Sequence, residues 1–240
     1  MKAQIHSVES MAALDGRGLR YAVFMTGCPL ACAYCHNPDT RYRCGEEVEA
    51  EELVKKIVRY KPYFANTGGV TFSGGEPLLQ ADFINEAGEL LGKEGITYVI
   101  DTSGAVLLTN SVKRALRAAE SVILDVKFAS DADYIEYTGR GMVETIATLR
   151  YLDEIGKDTV IRTVVVPGIN DTEEKIQEYI DLISDFSCVR EYELLGFHTM
   201  GFFKYEELGI ENRFKDKNAL PKEKLEALKT YVRENYKKQK

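Results

Sequence analysis

The chain has 240 residues, enough to bury a substantial core as one large domain or two small ones, and 45% of them are hydrophobic, as in ordinary soluble globular proteins. A net charge of −7 with basic residues spread along the chain argues against a phosphate-rich macromolecule as substrate, and the lysine-rich end (Lys237, Lys238, Lys240) reads as a solvated helix terminus. No stretch reaches the roughly 18 uncharged apolar residues of a membrane span, and MKAQIHSVESMAALDGRG lacks an apolar h-region, so the expectation is a cytoplasmic protein that binds neither membrane nor nucleic acid.

In chain order, strands are predicted over 21–25, 69–72, 97–100, 121–124, 159–166 and 191–195. Helical patterns intervene over 50–60, 81–93, 111–119, 143–155 and 173–184, and a last one over 221–236 places Pro221 in its first turn. Runs such as SVILDV and VIRTVVV carry the near-continuous apolar character of strands buried on both faces. Six such strands alternating with helices imply repeated parallel βαβ units, either a doubly wound open sheet or an incomplete (β/α) barrel. No Pro-, Gly- or Ser-rich linker interrupts the chain, so a single domain over 1–240 is expected, with 196–220 a long loop holding a short helix.

Unusual residues gather where predicted strands end. The first strand runs into TGCPLACAYCHNP, with Cys28, Cys32, Cys35 and His36; the second into Ser73-Gly74-Gly75-Glu76-Pro77; the third into Asp101-Thr102-Ser103-Gly104. Asp125-Val126-Lys127 follows the fourth, Arg162 lies within the fifth and His198 follows the sixth. Ligands bind at the C-terminal edge of parallel strands, so one polar or metal-capable group per strand points to a shared site.

Five cysteines in a reducing compartment argue against a disulfide framework; Cys44 and Cys188 stand apart as ordinary thiols, while the other three crowd into eight positions. Thiolates select zinc, copper(I) or iron–sulfur clusters. A Cys₃His zinc module would need the adjacent Cys35 and His36 to reach one tetrahedral ion. A 4Fe–4S cluster usually takes four cysteines, and three leave one iron open, as catalytic centres do.

The C-x₃-C-x-aromatic-C pattern, with Tyr34 as the aromatic, resembles that of radical S-adenosylmethionine enzymes, and Gly74-Gly75-Glu76 resembles their second-strand motif. Over nearly its whole length the chain resembles the pyruvate formate-lyase activating enzyme family, through IHSVES, DGRGLR, FMTGCPLACAYCHNPDT, GGVTFSGGEPLLQ, DTSG, ILDVK, IRTVVVPGIND, LGFHTMG and KYEELG. The resemblance implies an incomplete (β/α)₆ TIM-like barrel with N- and C-terminal extensions. It also implies a 4Fe–4S cluster on Cys28, Cys32 and Cys35, whose open iron takes S-adenosylmethionine. Reductive cleavage then yields a 5′-deoxyadenosyl radical that abstracts a glycine hydrogen from a partner glycyl radical enzyme.

By the same resemblance Tyr34, Cys35 and His36 line the adenine side, Gly75 and Glu76 the methionine side, and Asp125, Val126, Lys127, Arg162 and His198 complete the cofactor site. Arg162 can equally be a structural ion-pair partner. Asp101, Thr102 and Asp125, with the Ile123 carbonyl, match a monovalent cation site, against a plain reading as a cap and a paired carboxylate. Asp15 and its neighbours receive the partner's glycyl loop; reduced flavodoxin or a similar protein is the expected electron donor, and a monomer the expected state. Two motifs depart from the family: the usual D-G-P-G reads Asp15-Gly16-Arg17-Gly18, and the usual L-P-Y-H reads Leu195-Gly196-Phe197-His198. These leave open a different glycyl radical enzyme, or a small molecule, as substrate.

Overall fold

A run of small and apolar residues with no charge, GVTFSG, cannot be left facing water on either side, and it forms a strand buried along nearly all its length. The computed structural model describes residues 1–42 and 44–236; Lys237, Lys238 and Lys240 lie outside them. Two compact units are present, one of residues 1–29 and 40–123, the other of residues 30–39 and 124 onward.

The first unit holds β1 (Lys2–Ala12), β2 (Arg20–Met25), β3 (Glu46–Glu49), α1 (Ala50–Val58), the short α2 (Lys61–Phe64), β4 (Gly69–Gly74), α3 (Ala81–Lys93), β5 (Tyr98–Thr102), α4 (Asn110–Ala118) and most of β6 (Ser121–Asp125). β2 and β4 run parallel with Arg20 opposite Gly69 and Met25 opposite Gly74, and β4 and β5 run parallel with Phe72 opposite Ile100. Phe72, Ile100, Ile57, Ile84 and Leu91 are fully buried, each contributing about 1.5–3 kcal/mol by leaving water. α3 packs against α1 and α4. Thr109 caps α4 by accepting from the Val112 N–H at 3.3 Å.

The second unit continues with α5 (Asp131–Thr138), α6 (Val143–Glu154), β7 (Thr159–Val165), α7 (Glu173–Ile183), β8 (Val189–Gly196), α8 (Phe203–Glu207) and α9 (Lys222–Asn235). β7 and β8 are parallel, with Arg162 opposite Glu193. Tyr134, Tyr179, Phe128 and Phe197 are its largest fully buried side chains. α9 packs on α7 and β8, and Tyr236 donates to the Val189 carbonyl at 3.3 Å.

The strand order is β3-β1-β2-β4-β5-β6-β7-β8, open at both ends, as an incomplete (β/α)₆ barrel requires. All six predicted strands are present, most shifted by a residue or two, and the expected short helix in 196–220 is α8. Two strands exceed the prediction: β1 pairs antiparallel with both β2 and β3, forming the N-terminal extension. In β1 only Ala3, Ile5 and Ala12 are buried, and two register shifts interrupt it, so no sustained alternation betrays it. α5 was also unforeseen; it buries only Tyr134 and Thr138, but Ser130 caps its start and Gly139, in the left-handed region at φ 79°, ends it. Pro221 stands just before α9 rather than within its first turn. Among the described residues no helix is long and apolar enough to cross a membrane.

Candidate active site

In the first unit the backbone after β4 is stitched to the backbone after β2. The Gly75 N–H donates to the Met25 carbonyl at 2.8 Å and the Glu76 N–H to the Gly27 carbonyl at 2.7 Å. A Cβ on Gly75 would lie 2.4 Å from the Gly27 oxygen and 2.9 Å from that of Thr40, so only glycine permits this approach. The outgoing and returning limbs of the cysteine loop pair as well, Gly27 N–H to Thr40 carbonyl at 2.8 Å and Cys28 N–H to Arg41 carbonyl at 3.0 Å. Cys28 thus leaves a backbone held on two sides, with its thiol half-buried.

The Glu76 carboxylate is fully buried and takes four donors: Thr102 Oγ1 at 2.6 Å, the Ser103 N–H at 2.9 Å, Ser103 Oγ at 2.5 Å and the Leu78 N–H at 3.1 Å. Burial pushes its pKa up, while the Ser103, Thr102 and Leu78 donors pull it back. The carboxylate faces Thr102 and Ser103, and so braces the loop after β5; the Gly104 N–H in turn donates to Thr102 Oγ1 at 2.9 Å. Asp101 accepts from Ser73 Oγ at 2.9 Å. The Asp15 carbonyl accepts from Thr71 Oγ1 at 2.6 Å.

In the second unit the rest of the cysteine loop is strapped to the end of α5, the Ala31 N–H donating to the Thr138 carbonyl at 2.7 Å and Ala33 to Tyr137 at 2.8 Å. Cys32 and Tyr34 are buried, whereas Cys35 and His36 are half-buried. Tyr205, from α8, donates its hydroxyl to the Cys35 carbonyl at 2.9 Å, and Lys204 reaches Asn37 at 2.8 Å and Asp39 at 2.9 Å. The His36 and His198 rings stack at 3.7 Å and 3° apart, and His36 Nε2 donates to the His198 carbonyl at 3.1 Å. Burial, then the neighbouring His198, lower the His36 pKa to about 4, so the ring is neutral near pH 7.

Lys127 pairs with Asp125. Burial works against its charge, but Asp125 and the nearby Cys32 outweigh it and raise its pKa. The segment is fixed by its backbone: Tyr179 donates to the Lys127 carbonyl at 3.1 Å, Thr163 to that of Val126 at 2.9 Å, and the Val126 N–H to that of Arg162 at 3.0 Å. Arg162 Nε meets Glu193 at 3.0 Å, directly across from it on β8.

The buried polar atoms without a hydrogen-bond partner among the described residues include Tyr34 Oη and His198 Nδ1. An orphaned buried donor or acceptor is costly, and both lie on residues expected to face a cofactor. None of the five cysteines is in a disulfide, and as thiolates Cys28, Cys32 and Cys35, on one restrained loop, are soft ligands. This donor set fits an iron–sulfur cluster. The His36 ring is engaged with His198 rather than turned to a shared ion. Among the described residues no three His, Cys, Asp or Glu side chains are gathered tightly enough to hold one metal ion. Gly201, Lys204 and Tyr205 were given no individual role from sequence, although a Cβ on Gly201 would sit 2.4 Å from the His36 oxygen. Their signal, a glycine and a Lys-Tyr pair in an aperiodic stretch, is faint.

Residues 22–183 match the family model of the Radical SAM superfamily. The chain is 42% identical over 233 residues to a pyruvate formate-lyase-activating enzyme of Clostridium pasteurianum, covering 96% of this chain and 97% of that relative. A relative of the same name from Staphylococcus epidermidis is 40% identical over 88% of this chain and 87% of its own length. Among solved structures, Streptococcus suis SuiB bound to S-adenosylmethionine aligns with a TM-score of 0.67 at 20% identity, over 86% of this chain and 44% of that one. A domain of pyruvate-formate lyase-activating enzyme from Bacteroides vulgatus ATCC 8482 aligns at 0.56 and 19%, over 70% and 94%. At those identities the structural likeness speaks for the fold alone.

Proposed function

As a member of the radical SAM superfamily, and within it of the pyruvate formate-lyase-activating enzymes, this chain belongs with proteins that use a 4Fe–4S cluster and S-adenosylmethionine, and we propose that it activates pyruvate formate-lyase by generating a glycyl radical on it. When bound, the cluster supplies the electron that cleaves the sulfonium, and the resulting 5′-deoxyadenosyl radical takes a hydrogen atom from the partner's glycine. Cys28, Cys32 and Cys35 hold the cluster, and the backbone stitches at Gly27, Cys28, Ala31 and Ala33 keep their loop in place. The Gly74-Gly75 backbone offers polar groups to the methionine end, while the Glu76 carboxylate keeps the loop after β5 in position. Tyr34, Cys35 and His36 form the adenine side, where the His36 ring stacks on His198 and the orphaned Tyr34 Oη and His198 Nδ1 are ready for polar partners. Asp125, Val126 and Lys127 complete the site together with Arg162, which Glu193 holds in one orientation. Asp101, Thr102 and Asp125 offer hard oxygen atoms to a monovalent cation. The segment around Asp15 receives the glycyl loop. A reduced flavodoxin-type protein is the electron donor, and the enzyme works as a cytoplasmic monomer.

The observation that carries this reading is the set of three cysteines, none in a disulfide, on one loop braced from both limbs. Anaerobic reconstitution tests it: about four irons and as many sulfides per chain are expected, with a glycyl radical signal on added pyruvate formate-lyase. A colourless zinc protein would overturn it. A second reading, activation of a different glycyl radical enzyme or action on a small molecule, is favoured by Arg17 and by the Gly196-Phe197 pair. It predicts cofactor cleavage with no radical on pyruvate formate-lyase.

A further inference from the structure

Arg20 opens β2 and is fully buried, an expensive place for a guanidinium unless its donors are satisfied. Its only ion-pair partner among the described residues is Glu120, at 3.7 Å and 45% exposed. Its close hydrogen bonds go instead to the backbone and one hydroxyl: Nη2 to the Val70 carbonyl at 2.6 Å, Nη1 to the Arg17 and Thr67 carbonyls at 3.2 and 3.3 Å, and Nε to Thr71 Oγ1 at 3.2 Å. Thr71 passes its own hydrogen to the Asp15 carbonyl. One buried pair therefore grips two carbonyls of a single turn, those of Asp15 and Arg17.

The turn rests directly on this pair. A Cβ on Gly16, at φ 123°, would touch Thr71 Oγ1 and Arg20 Nε at 3.7 and 3.8 Å. Gly18, at φ 71°, lies so close to Thr67 and Gly68 that a Cβ would come within 2.6 Å of their backbone. Above the grip the turn is open: Arg17 is exposed and Leu14 is 86% exposed. The family's usual D-G-P-G has proline where this chain has Arg17, and proline would fix one backbone dihedral. Arg17 has no such restraint, so the turn depends on bonds from beneath.

We propose that Arg20, acting with Thr71, is a positioning residue that fixes the 14–18 turn for docking of the partner's glycyl loop, supplying the restraint that proline gives elsewhere in the family. This rests on the reading of Asp15 and its neighbours as the partner-receiving segment.

The test uses the full chain, anaerobically reconstituted, with Thr71→Val and Arg20→Lys. Thr71→Val keeps the side-chain shape and removes only the hydroxyl, which guards against a variant that fails to fold. Trypsin nicking after Arg17 under native conditions reads the turn directly and needs no activity. It should quicken by about tenfold in both variants, the scale of one lost hydrogen bond. The KM for pyruvate formate-lyase in glycyl radical formation should rise by about tenfold, while partner-free cleavage of S-adenosylmethionine stays within about twofold. Arg17→Pro added to either variant should restore the KM, and Arg17→Ala should not.

Unchanged nicking in Thr71→Val would overturn the proposal. So would a fall in partner-free cleavage matching the loss of radical formation, or equal rescue by alanine. If the wild-type chain cleaves the cofactor yet makes no radical on pyruvate formate-lyase, the functional reading fails, and the nicking rates alone decide whether the grip exists.

Discussion

Replacing Gly75 by alanine should be among the most damaging single-methyl changes in the molecule. Gly75 has no left-handed backbone requirement, so the effect is steric. The new Cβ would sit 2.4 Å from the Gly27 oxygen and 2.9 Å from the Thr40 oxygen, both backbone atoms without a rotamer to escape into. Ordinary contact needs about 3.4 Å or more, so one strand end must retreat by about 1 Å. That retreat costs about 1–3 kcal/mol as overpacking. It also weakens the bonds from Gly75 to Met25 and from Glu76 to Gly27, at about 0.5–1.5 kcal/mol each. The sum is about 2–6 kcal/mol, or a fall in Tm of about 4–24 °C for a chain of this size. Because Gly27 precedes Cys28, iron loading should fall with it. Gly92→Ala is the control: it lies in α3 with nothing within 4 Å of the new Cβ, so a rise of about 0.5–1 kcal/mol is expected. Thermal unfolding of the metal-free protein and iron content after reconstitution are the measurements. A Gly75→Ala protein that melts with the wild type and loads iron fully would refute the reasoning.

Cys188 is 1% exposed and burial pushes its thiol up to about 11, whereas Cys44 is exposed. Native alkylation at pH 7.5 followed by mass spectrometry should label Cys44 and leave Cys188 until the chain unfolds. Burial raises the pKa of Asp171, but the Lys224 ammonium and the Gly168 N–H outweigh it and hold it below its ordinary 3.8. Its stabilisation is therefore present above that value and lost as pH falls through the depressed one. Asp171→Asn should cost about 1 kcal/mol at pH 7, given a half-exposed Lys224, and the gap between variant and wild type in urea unfolding should close in acid. Tyr34→Phe removes an orphaned hydroxyl and should leave the metal-free protein as stable or up to about 1 kcal/mol more so. Tyr98→Phe breaks the bond to the Ala115 carbonyl at 3.0 Å and should cost about 1 kcal/mol; equal losses in the two would contradict the assignment.

The parallel strands were legible from their apolar, β-branched runs: GVTFSG is buried on both faces, while TVIRTVV alternates buried and half-buried residues around Arg162. β1 was not, since most of its residues face water and its pairing is set by β2 and β3 rather than by its own pattern. α5 lies between: its apolar face is too small to show, while its serine cap and terminal glycine were there to be read. The site divides in the same way. Spacing alone brought Cys28, Cys32 and Cys35 to notice. Resemblance put Glu76 on the methionine side of the cofactor, and the four donors to its carboxylate come from backbone and hydroxyl groups up to 27 positions away, which no local pattern encodes. The hold of Tyr205 on Cys35 spans 170 positions and was equally hidden.

The central claim is that a hydrogen atom moves from a partner's glycine to the deoxyadenosyl group held at the Cys28–Cys32–Cys35 loop. Pyruvate formate-lyase carrying glycine deuterated at its α-carbon, incubated anaerobically with the reconstituted enzyme, S-adenosylmethionine and a reductant, tests this directly by mass spectrometry of the released 5′-deoxyadenosine. The account predicts product about one mass unit heavier than with unlabelled partner, together with a radical on the lyase. Unlabelled 5′-deoxyadenosine formed at the same rate with and without the partner would contradict it.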